Sequence, residues 1–318
     1  MLRRPTIGQL LAAGLDPAAV ERVVQAALDE DLRYGPDVTS AATAPAGAEA
    51  VAAVVARQPG VLAGLPVAVA VLDLAGVSPE SADPRRADGD RIAPGTEVLR
   101  IHAPLRELLG AERTLLNFLT HLSGVATATR AWADALAGTS CVVRDTRKTL
   151  PGLRVVEKYA VRCGGGQNHR MGLGDAALIK DNHVIAAGGI TKAIEAVRAA
   201  APGLPLGVEC DTLPQVRESL DTGAELILLD SPACPAPARW PGTGGSPDPW
   251  CRASSAGSPG GSAPGPGSRS PGAARAGPVP RPPRSYRPGS RPAGTTSYAA
   301  GSGTGIPRPD ETRRSRPG

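Results

Sequence analysis

A chain of 318 residues has room for two domains of ~100–200 residues each, and a net charge of +5 with a pI near 9.2 would ordinarily bring nucleic acid to mind as a partner. The basic excess is confined to residues 231–318, which hold 12 Arg, no Lys and three acids; the first 230 residues therefore carry a net charge of −4, and nucleic-acid binding is excluded for them. Five cysteines without a CxxC spacing count against a disulfide framework or structural zinc, while the lack of a signal peptide or of any apolar run near the ~20 residues of a membrane span makes a reduced cytoplasm the expected location, with no membrane partner.

Asp16-Pro17 reads as an N-cap followed by proline at the first helical position, and predicts a helix to about Asp31. Its buried face would carry Val20, Val23, Val24, Ala27 and Leu28. Residues 31–43 read as a loop from their Gly-Pro pair and acids. Apolar runs follow at Ala50–Ala56 and Val61–Ala63, then a helical Val67–Leu74 and a strand at Thr96–Ile101. Together these predict a small N-terminal α+β sandwich domain over residues 1–110. A long helical pattern, Glu112–Ala137, leads out of it and carries Leu115, Leu116, Leu119, Leu122 and Val125.

From Cys141 the pattern changes to alternating strands and helices. Strands are predicted at Cys141–Arg144, Ala176–Ile179, Leu206–Val208 and Leu226–Leu229, with helices at Val155–Val161, Ile190–Ala200 and Leu213–Leu220. This spacing means βα units around a parallel sheet, so the fold class is α/β, with a parallel α/β barrel or open sheet over residues 111–230. Each predicted strand ends in ionisable residues: Asp145-Thr146-Arg147-Lys148, Lys180-Asp181, Glu209 and Asp230. Ligands bind at the carboxyl ends of strands in both architectures.

The stretch from Asp145 to His183 holds the chemistry. It supplies Arg147, Lys148, His169, Arg170 and Lys180, with Gly164-Gly165-Gly166 before the histidine. Consecutive glycines can present N–H groups to an anion, and paired arginines give bidentate recognition of carboxylate or phosphate. Glu209 and Asp230 suit ribose hydroxyls or a hydrated Mg²⁺. The composite is a cationic cleft for a small, highly anionic substrate in an otherwise acidic body. His121 and Asp181 read as structural, the cysteines as small buried apolar groups, and Arg154, Glu157 and Lys158 as a solvated helix face.

These motifs carry a family resemblance. The run Asp145–His183, together with ERTLLNFLTHLSGVAT at 112–127, DEDLRYGPDVTS at 29–40, GVLAGLP at 60–66, VEC at 208–210 and ILLD at 227–230, resembles the quinolinate phosphoribosyltransferases. The resemblance covers about Pro17 to Asp230. It implies an open α/β sandwich domain joined to an incomplete α/β barrel, in a homodimer or larger homo-oligomer. It implies phosphoribosyl transfer from phosphoribosyl pyrophosphate to quinolinate, with decarboxylation, in NAD biosynthesis. Arg113 of a neighbouring subunit would join Thr146, Arg147, His169, Arg170 and Lys180 in binding quinolinate. Lys148, Glu209 and Asp230 would act on phosphoribosyl pyrophosphate with Mg²⁺, Glu209 and Asp230 meeting the metal indirectly. A same-fold phosphoribosyltransferase with another anionic acceptor, or an inactive truncated relative, are the competing readings.

Residues 231–318 break the pattern. Only Val279 and Ile306 are aliphatic and larger than Ala, Leu, Met and Phe are absent, and 19 of the chain's 33 prolines fall there. Such a segment cannot bury enough apolar area to offset an ordering entropy of ~1–2 kcal/mol per residue, which predicts disorder. Its Pro, Gly, Ala, Ser and Arg are what GC-rich codons encode in any frame, and a frameshift near Asp230 would produce it.

Overall fold

Helix α1 (Arg4–Ala12) opens the chain, a short element that the sequence reading leaves out. The structure, a computed structural model, describes residues 1–229 and the backbone of residues 294–299. Helix α2 (Pro17–Leu32) begins where its cap predicts, with Asp16 Oδ1 accepting from Ala18 N at 3.0 Å, an interaction worth about 1 kcal/mol. Val20, Val24 and Leu28 are buried along its inner face. A second helix, α3 (Val38–Thr43), occupies part of the stretch expected to be loop. Asp37 explains it, because one carboxylate oxygen accepts from both Thr39 N and Ser40 N at 3.0 Å and so satisfies two otherwise unpaired helix donors.

Strand β1 (Glu49–Ala56) alternates faces, burying Ala50, Ala52, Val54 and Ala56. The short strand β2 (Gly60–Val61) leads into helix α4 (Leu65–Leu74), which is buried along most of its length. Strands β3 (Ala82–Pro84), β4 (Arg91–Ile92) and β5 (Glu97–Pro104) follow. Strand β9 (Gly294–Ala299) lies antiparallel to β1, with Ala299 opposite Val51 and Gly294 opposite Ala56, and the larger sheet has the order β3-β5-β1-β9. Strand β9 belongs to the segment predicted to be disordered, and over these six residues the structure departs from that expectation. It lies within 293–306, the longest part of that segment free of Pro and Arg, so every backbone N–H there can join a ladder. The rest of 231–318, and Asp230 with it, lies outside the described residues.

Helix α5 (Leu105–Ala135) runs unbroken for 31 residues through position 110, where the sequence reading divides the domains. Beyond it come α6 (Arg154–Cys163), β6 (Ala177–Ile179), α7 (Asp181–Ala187), α8 (Ile190–Ala200), β7 (Leu206–Cys210), α9 (Leu213–Asp221) and β8 (Leu226–Leu229). The parallel sheet has the order β6-β7-β8, with Ile179 opposite Val208 and Glu209 opposite Leu228. The predicted strand Cys141–Arg144 does not form as such. Arg144 makes one parallel bridge to Gln167, because the loop after α6, and not β6, supplies its partner. Among the described residues no helix is long and apolar enough to cross a membrane.

Two apolar cores result. The larger packs α1, α2, α4, the four-stranded sheet, α5 and the inner face of α6. The smaller holds Ile179, Ile190, Ile194, Leu206, Val208 and Val216 between the parallel sheet and α8 and α9. Asp88 helps tie α6 to the first core. It accepts from Gly64 N at 2.8 Å and Leu65 N at 3.1 Å, at the start of α4, and from the Tyr159 hydroxyl at 2.6 Å. Gly64 is required there, since its φ is +109° and a Cβ would come within 2.9 Å of Leu122 Cδ1.

Burial pushes the Asp88 carboxyl above its ordinary range, although the Tyr159, Gly64 and Leu65 hydrogen bonds oppose the shift. An acid raised in the folded state contributes stability that is complete below the unfolded carboxylate pKa and is lost as pH rises through the folded value. Asp88→Asn should therefore gain stability relative to the parent as pH rises from 4 to 7. Asp88→Ala should cost about 1–3 kcal/mol, because it leaves buried donors unpaired. Urea unfolding of both variants at several pH values checks this, and a parent-minus-Asn difference that does not vary with pH would refute it.

Candidate functional site

Four side chains on one face of α6 organise two loops, residues 145–150 and 167–172. Lys158, with a side chain 1% exposed, donates from Nζ to Asp145 Oδ1 at 2.6 Å and to the His169 carbonyl at 2.9 Å. Asp145 also accepts from His169 N at 2.7 Å and from Asn168 Nδ2 at 2.6 Å. One turn earlier, Arg154 reaches the Thr149 hydroxyl at 3.1 Å, the Met171 carbonyl at 3.0 Å and the Arg147 carbonyl at 3.5 Å. One turn later, Arg162 donates to Asn168 Oδ1 at 3.0 Å. Glu157 accepts from Leu150 N at 3.1 Å and pairs with His121 Nε2 at 2.8 Å.

This corrects the reading of Arg154, Glu157 and Lys158 as a solvated face. Glu157 and Lys158 are buried, because loops distant in sequence close over them. His121, read as structural, is bonded to Glu157. The visible signal was the spacing of Arg154, Lys158 and Arg162 at i, i+4 and i+8, which puts three cations on one stripe. Sequence alone does not say that the stripe meets carbonyls and carboxylates.

Gly164-Gly165-Gly166 also has a different task from the one expected. All three N–H groups are spent on the end of α6: Gly164 on the Ala160 carbonyl at 3.0 Å, Gly165 on Arg162 and Gly166 on Val161, both at 2.9 Å. None is left to cradle an anion. The glycines are there for space and backbone conformation, Gly165 having φ +86°. A Cβ on Gly164 would stand 2.5 Å from the Ala126 carbonyl oxygen and 2.6 Å from Thr129 Cβ. The run is a helix C-cap that lets α6 end tightly against α5.

The pinned loops bring Arg147 and Arg170 together. Arg147 Nε is buried with no hydrogen-bond partner. Arg170 donates to the Ala176 carbonyl at 3.0 Å; burial pulls its guanidinium below the ordinary arginine value, and the neighbouring Arg147 charge adds to this, with Asp175 opposing. Asp175 is itself fixed by Met171 N at 2.6 Å and Gly172 N at 2.8 Å. Lys180, at the carboxyl end of β6, pairs with Glu209 on β7 at 2.7 Å, Glu209 being the more buried of the two. Thr146 and Lys148 are exposed, Thr146 Oγ1 accepts from Lys148 N at 3.0 Å, and both border a cavity of about 430 Å³ whose other walls include Asp145, Glu157, Lys158 and Val125. That volume falls in the usual range for small-molecule sites, although Arg147, Arg170 and Lys180 are not among its lining residues.

The expected site residues thus fall into groups. Arg147 and Arg170 form a cationic pair, Lys180 and Glu209 an ion pair on adjacent strand ends, Thr146 and Lys148 a cavity wall. His169 is held by its backbone at the centre. Arg113 is exposed on α5 and makes no hydrogen bond to any of them. Asp230 follows the last described residue of β8 and lies outside the described residues. Among the described residues no three His, Cys, Asp or Glu gather as metal ligands. With Glu209 committed to Lys180, the described donor set does not fit a protein-held Mg²⁺. Among the described residues Cys141, Cys163 and Cys210 form no disulfide, and burial pushes the Cys163 thiol up to about 11, with the Asp88 charge adding to it, which suits an unreactive packing group.

Gly164→Ala should test the reading of the glycine run. The added methyl meets backbone and a β-carbon that cannot give way, so thermal or urea unfolding should show a loss of about 1–3 kcal/mol. A neutral substitution would mean that the contact with α5 is looser than described.

Comparison with known proteins bears on what this arrangement serves. The family models described as quinolinate phosphoribosyl transferase, N-terminal domain, and quinolinate phosphoribosyl transferase, C-terminal domain, match residues 37–123 and 125–238. The second match runs past Asp230, where the resemblance was expected to stop. The nicotinate-nucleotide pyrophosphorylase (carboxylating) of Mycobacterium leprae is 54% identical over 214 residues, 67% of this chain and 75% of that protein. A probable nicotinate-nucleotide pyrophosphorylase (carboxylating) of Synechocystis is 45% identical over 179 residues, 56% of this chain and 60% of that protein. Among solved structures, NadC from Streptococcus pyogenes superposes with a TM-score of 0.63 at 41% identity, covering 68% of this chain and 76% of that one. The nicotinate-nucleotide pyrophosphorylase of Francisella tularensis gives 0.63 at 33% identity, covering 68% and 75%.

Proposed function

We propose, on the ground that this chain belongs to the quinolinate phosphoribosyltransferase family, that it transfers the phosphoribosyl group of phosphoribosyl pyrophosphate to quinolinate. The products are nicotinate mononucleotide, pyrophosphate and CO₂, a step of NAD biosynthesis. The observation that carries the reading is the pair Arg147 and Arg170, two like charges held close by a buried frame, with Arg147 Nε buried and unpartnered. Such a pair is stabilised by a dianion, and quinolinate carries two adjacent carboxylates. Guanidiniums bind carboxylates through two parallel N–H···O bonds, which fixes orientation as well as charge.

In this reading Arg147 and Arg170 hold the two carboxylates so that the pyridine nitrogen faces the ribose anomeric carbon. Orientation of this kind can lower a barrier by ~7–11 kcal/mol in favourable cases. The nitrogen lone pair forms the new C–N bond as the C–O bond to pyrophosphate breaks, through an oxocarbenium-like state. Loss of the 2-carboxylate as CO₂ follows, its bonding electrons remaining on the ring carbon, which takes up a proton. Lys148, exposed beside the cavity, would meet the departing anion, and the Glu209 carboxylate would stabilise the positive charge that develops. The resemblance implies Mg²⁺ with the phosphoribosyl donor; the described residues do not assemble a site for it, and these steps use side chains alone. Arg113, exposed on α5 without a partner in the site, fits the part of a residue lent to a second copy of the chain, so a homodimer or larger homo-oligomer belongs to the proposal. So does a cytoplasmic location, which the absence of a disulfide among the described cysteines fits.

Arg147→Ala or Arg170→Ala should each weaken quinolinate binding by about 1.5–3 kcal/mol, one charge-assisted hydrogen-bond partner lost, or roughly 10- to 150-fold in Kd. Titration calorimetry measures this directly. Unchanged affinity in both variants would remove the acceptor site from these residues.

A further inference from the structure

Two guanidiniums repel one another, and the fold must hold their loops in place before any anion arrives. Asp145 and Lys158 are arranged for that task. Asp145 lies two residues before Arg147, and His169 immediately precedes Arg170. The pair grips His169 by both of its backbone polar groups: its N–H donates to Asp145 at 2.7 Å and its carbonyl accepts from Lys158 at 2.9 Å. The carboxylate and ammonium are joined at 2.6 Å, with side chains 7% and 1% exposed. Asn168 adds a further tie to Asp145 at 2.6 Å and to the Lys158 carbonyl at 2.8 Å.

Stability alone is a weak reason for such an arrangement, because a buried ion pair is often no better than apolar side chains of the same volume. Its distinguishing property is directional. It fixes one backbone segment against another, and the segments so fixed are those that carry the two arginines. We propose that Lys158, acting through Asp145 and the His169 backbone, is a positioning residue that sets the separation of the Arg147 and Arg170 guanidiniums and so the preference for adjacent over distant carboxylates on the acceptor. The proposal deepens the acceptor reading of those arginines and rests on it. Lys158 itself touches no substrate. It reads the acceptor only through the spacing it imposes.

The test is calorimetry on the full 318-residue chain with two isomeric probes, pyridine-2,3-dicarboxylate and pyridine-2,5-dicarboxylate. The parent should bind the 2,3-isomer at least roughly tenfold more tightly, the equivalent of one charge-assisted bond made by one isomer and missed by the other. Lys158→Met should bring the two affinities within about threefold of each other while circular dichroism stays that of the parent. A general loss of stability would weaken both isomers together and leave their ratio alone. Because the single variant strands a buried carboxylate, the double variant Asp145→Asn with Lys158→Met is measured beside it. It keeps an acceptor for His169 N but no donor for the His169 carbonyl, and the same loss of preference is expected. A tenfold preference retained in either folded variant overturns the proposal. Failure of both variants to fold also overturns it, since the pair would then serve folding alone. A parent that binds neither isomer strikes at the acceptor reading itself, and the proposal falls with it.

Discussion

In the second half of the molecule, the two loops that carry Arg147 and Arg170 depend on the buried contact between Asp145 and Lys158. Removing a carboxylate and an ammonium from water is costly, and the attraction between them offsets the cost only when the remaining lone pairs and protons are also satisfied. Here they are. Asp145 receives donors from Lys158, Asn168 and His169, and Lys158 has a second acceptor in the His169 carbonyl. Breaking one side of such a pair would leave an uncompensated charge in the interior, a loss of about 3–5 kcal/mol. The two loops it joins are therefore not free to move independently, although neither belongs to a regular strand.

That rigidity has a purpose in the charge distribution. The first 230 residues carry a net −4, yet Arg147 and Lys148 share one of the two pinned loops, Arg170 lies on the other, and Lys180 follows β6. Cations concentrated on two neighbouring loops of an acidic body can draw small anions without the broad basic face that nucleic acid requires. Lys180 is balanced by Glu209, whereas the Arg170 guanidinium feels the like charge of Arg147, with Asp175 opposing. The frame of α6 keeps that uneven balance from relaxing by simple separation of the loops.

The frame can do this because α6 belongs to a different body of packing from the sheet it serves. Val156, Tyr159 and Ala160 are buried in the large N-terminal core, and Tyr159 is also bonded to Asp88 at the start of α4. The parallel sheet has its own smaller core. The site loops run between them, with their polar backbone gripped by the outer, charged stripe of a helix whose inner stripe is anchored elsewhere. The glycines at 164–166 are part of the same construction: they let α6 stop abruptly against α5 so that the chain can turn directly to Asn168 and His169.

Much of this was legible in the residues. The α/β class, the limits of α8 and β8, the start of α2 from Asp16-Pro17, and Lys180 and Glu209 at the carboxyl ends of β6 and β7 all follow from periodicity, capping and side-chain type, which are local properties of the chain. What the sequence could not decide is which partners those side chains find. Lys158 and Arg154 have the pattern of a solvated helix face, and they are buried or bonded only because residues 145–149 and 168–171 close over them. Gly164–Gly166 has the composition of an anion cradle, and its N–H groups are consumed because α6 ends there. Cys141–Arg144 has strand-forming residues, and it makes a single bridge because Gln167 is its neighbour. Burial and pairing are properties of segments meeting across space, and a one-dimensional pattern shows which face is polar without showing what that face will touch.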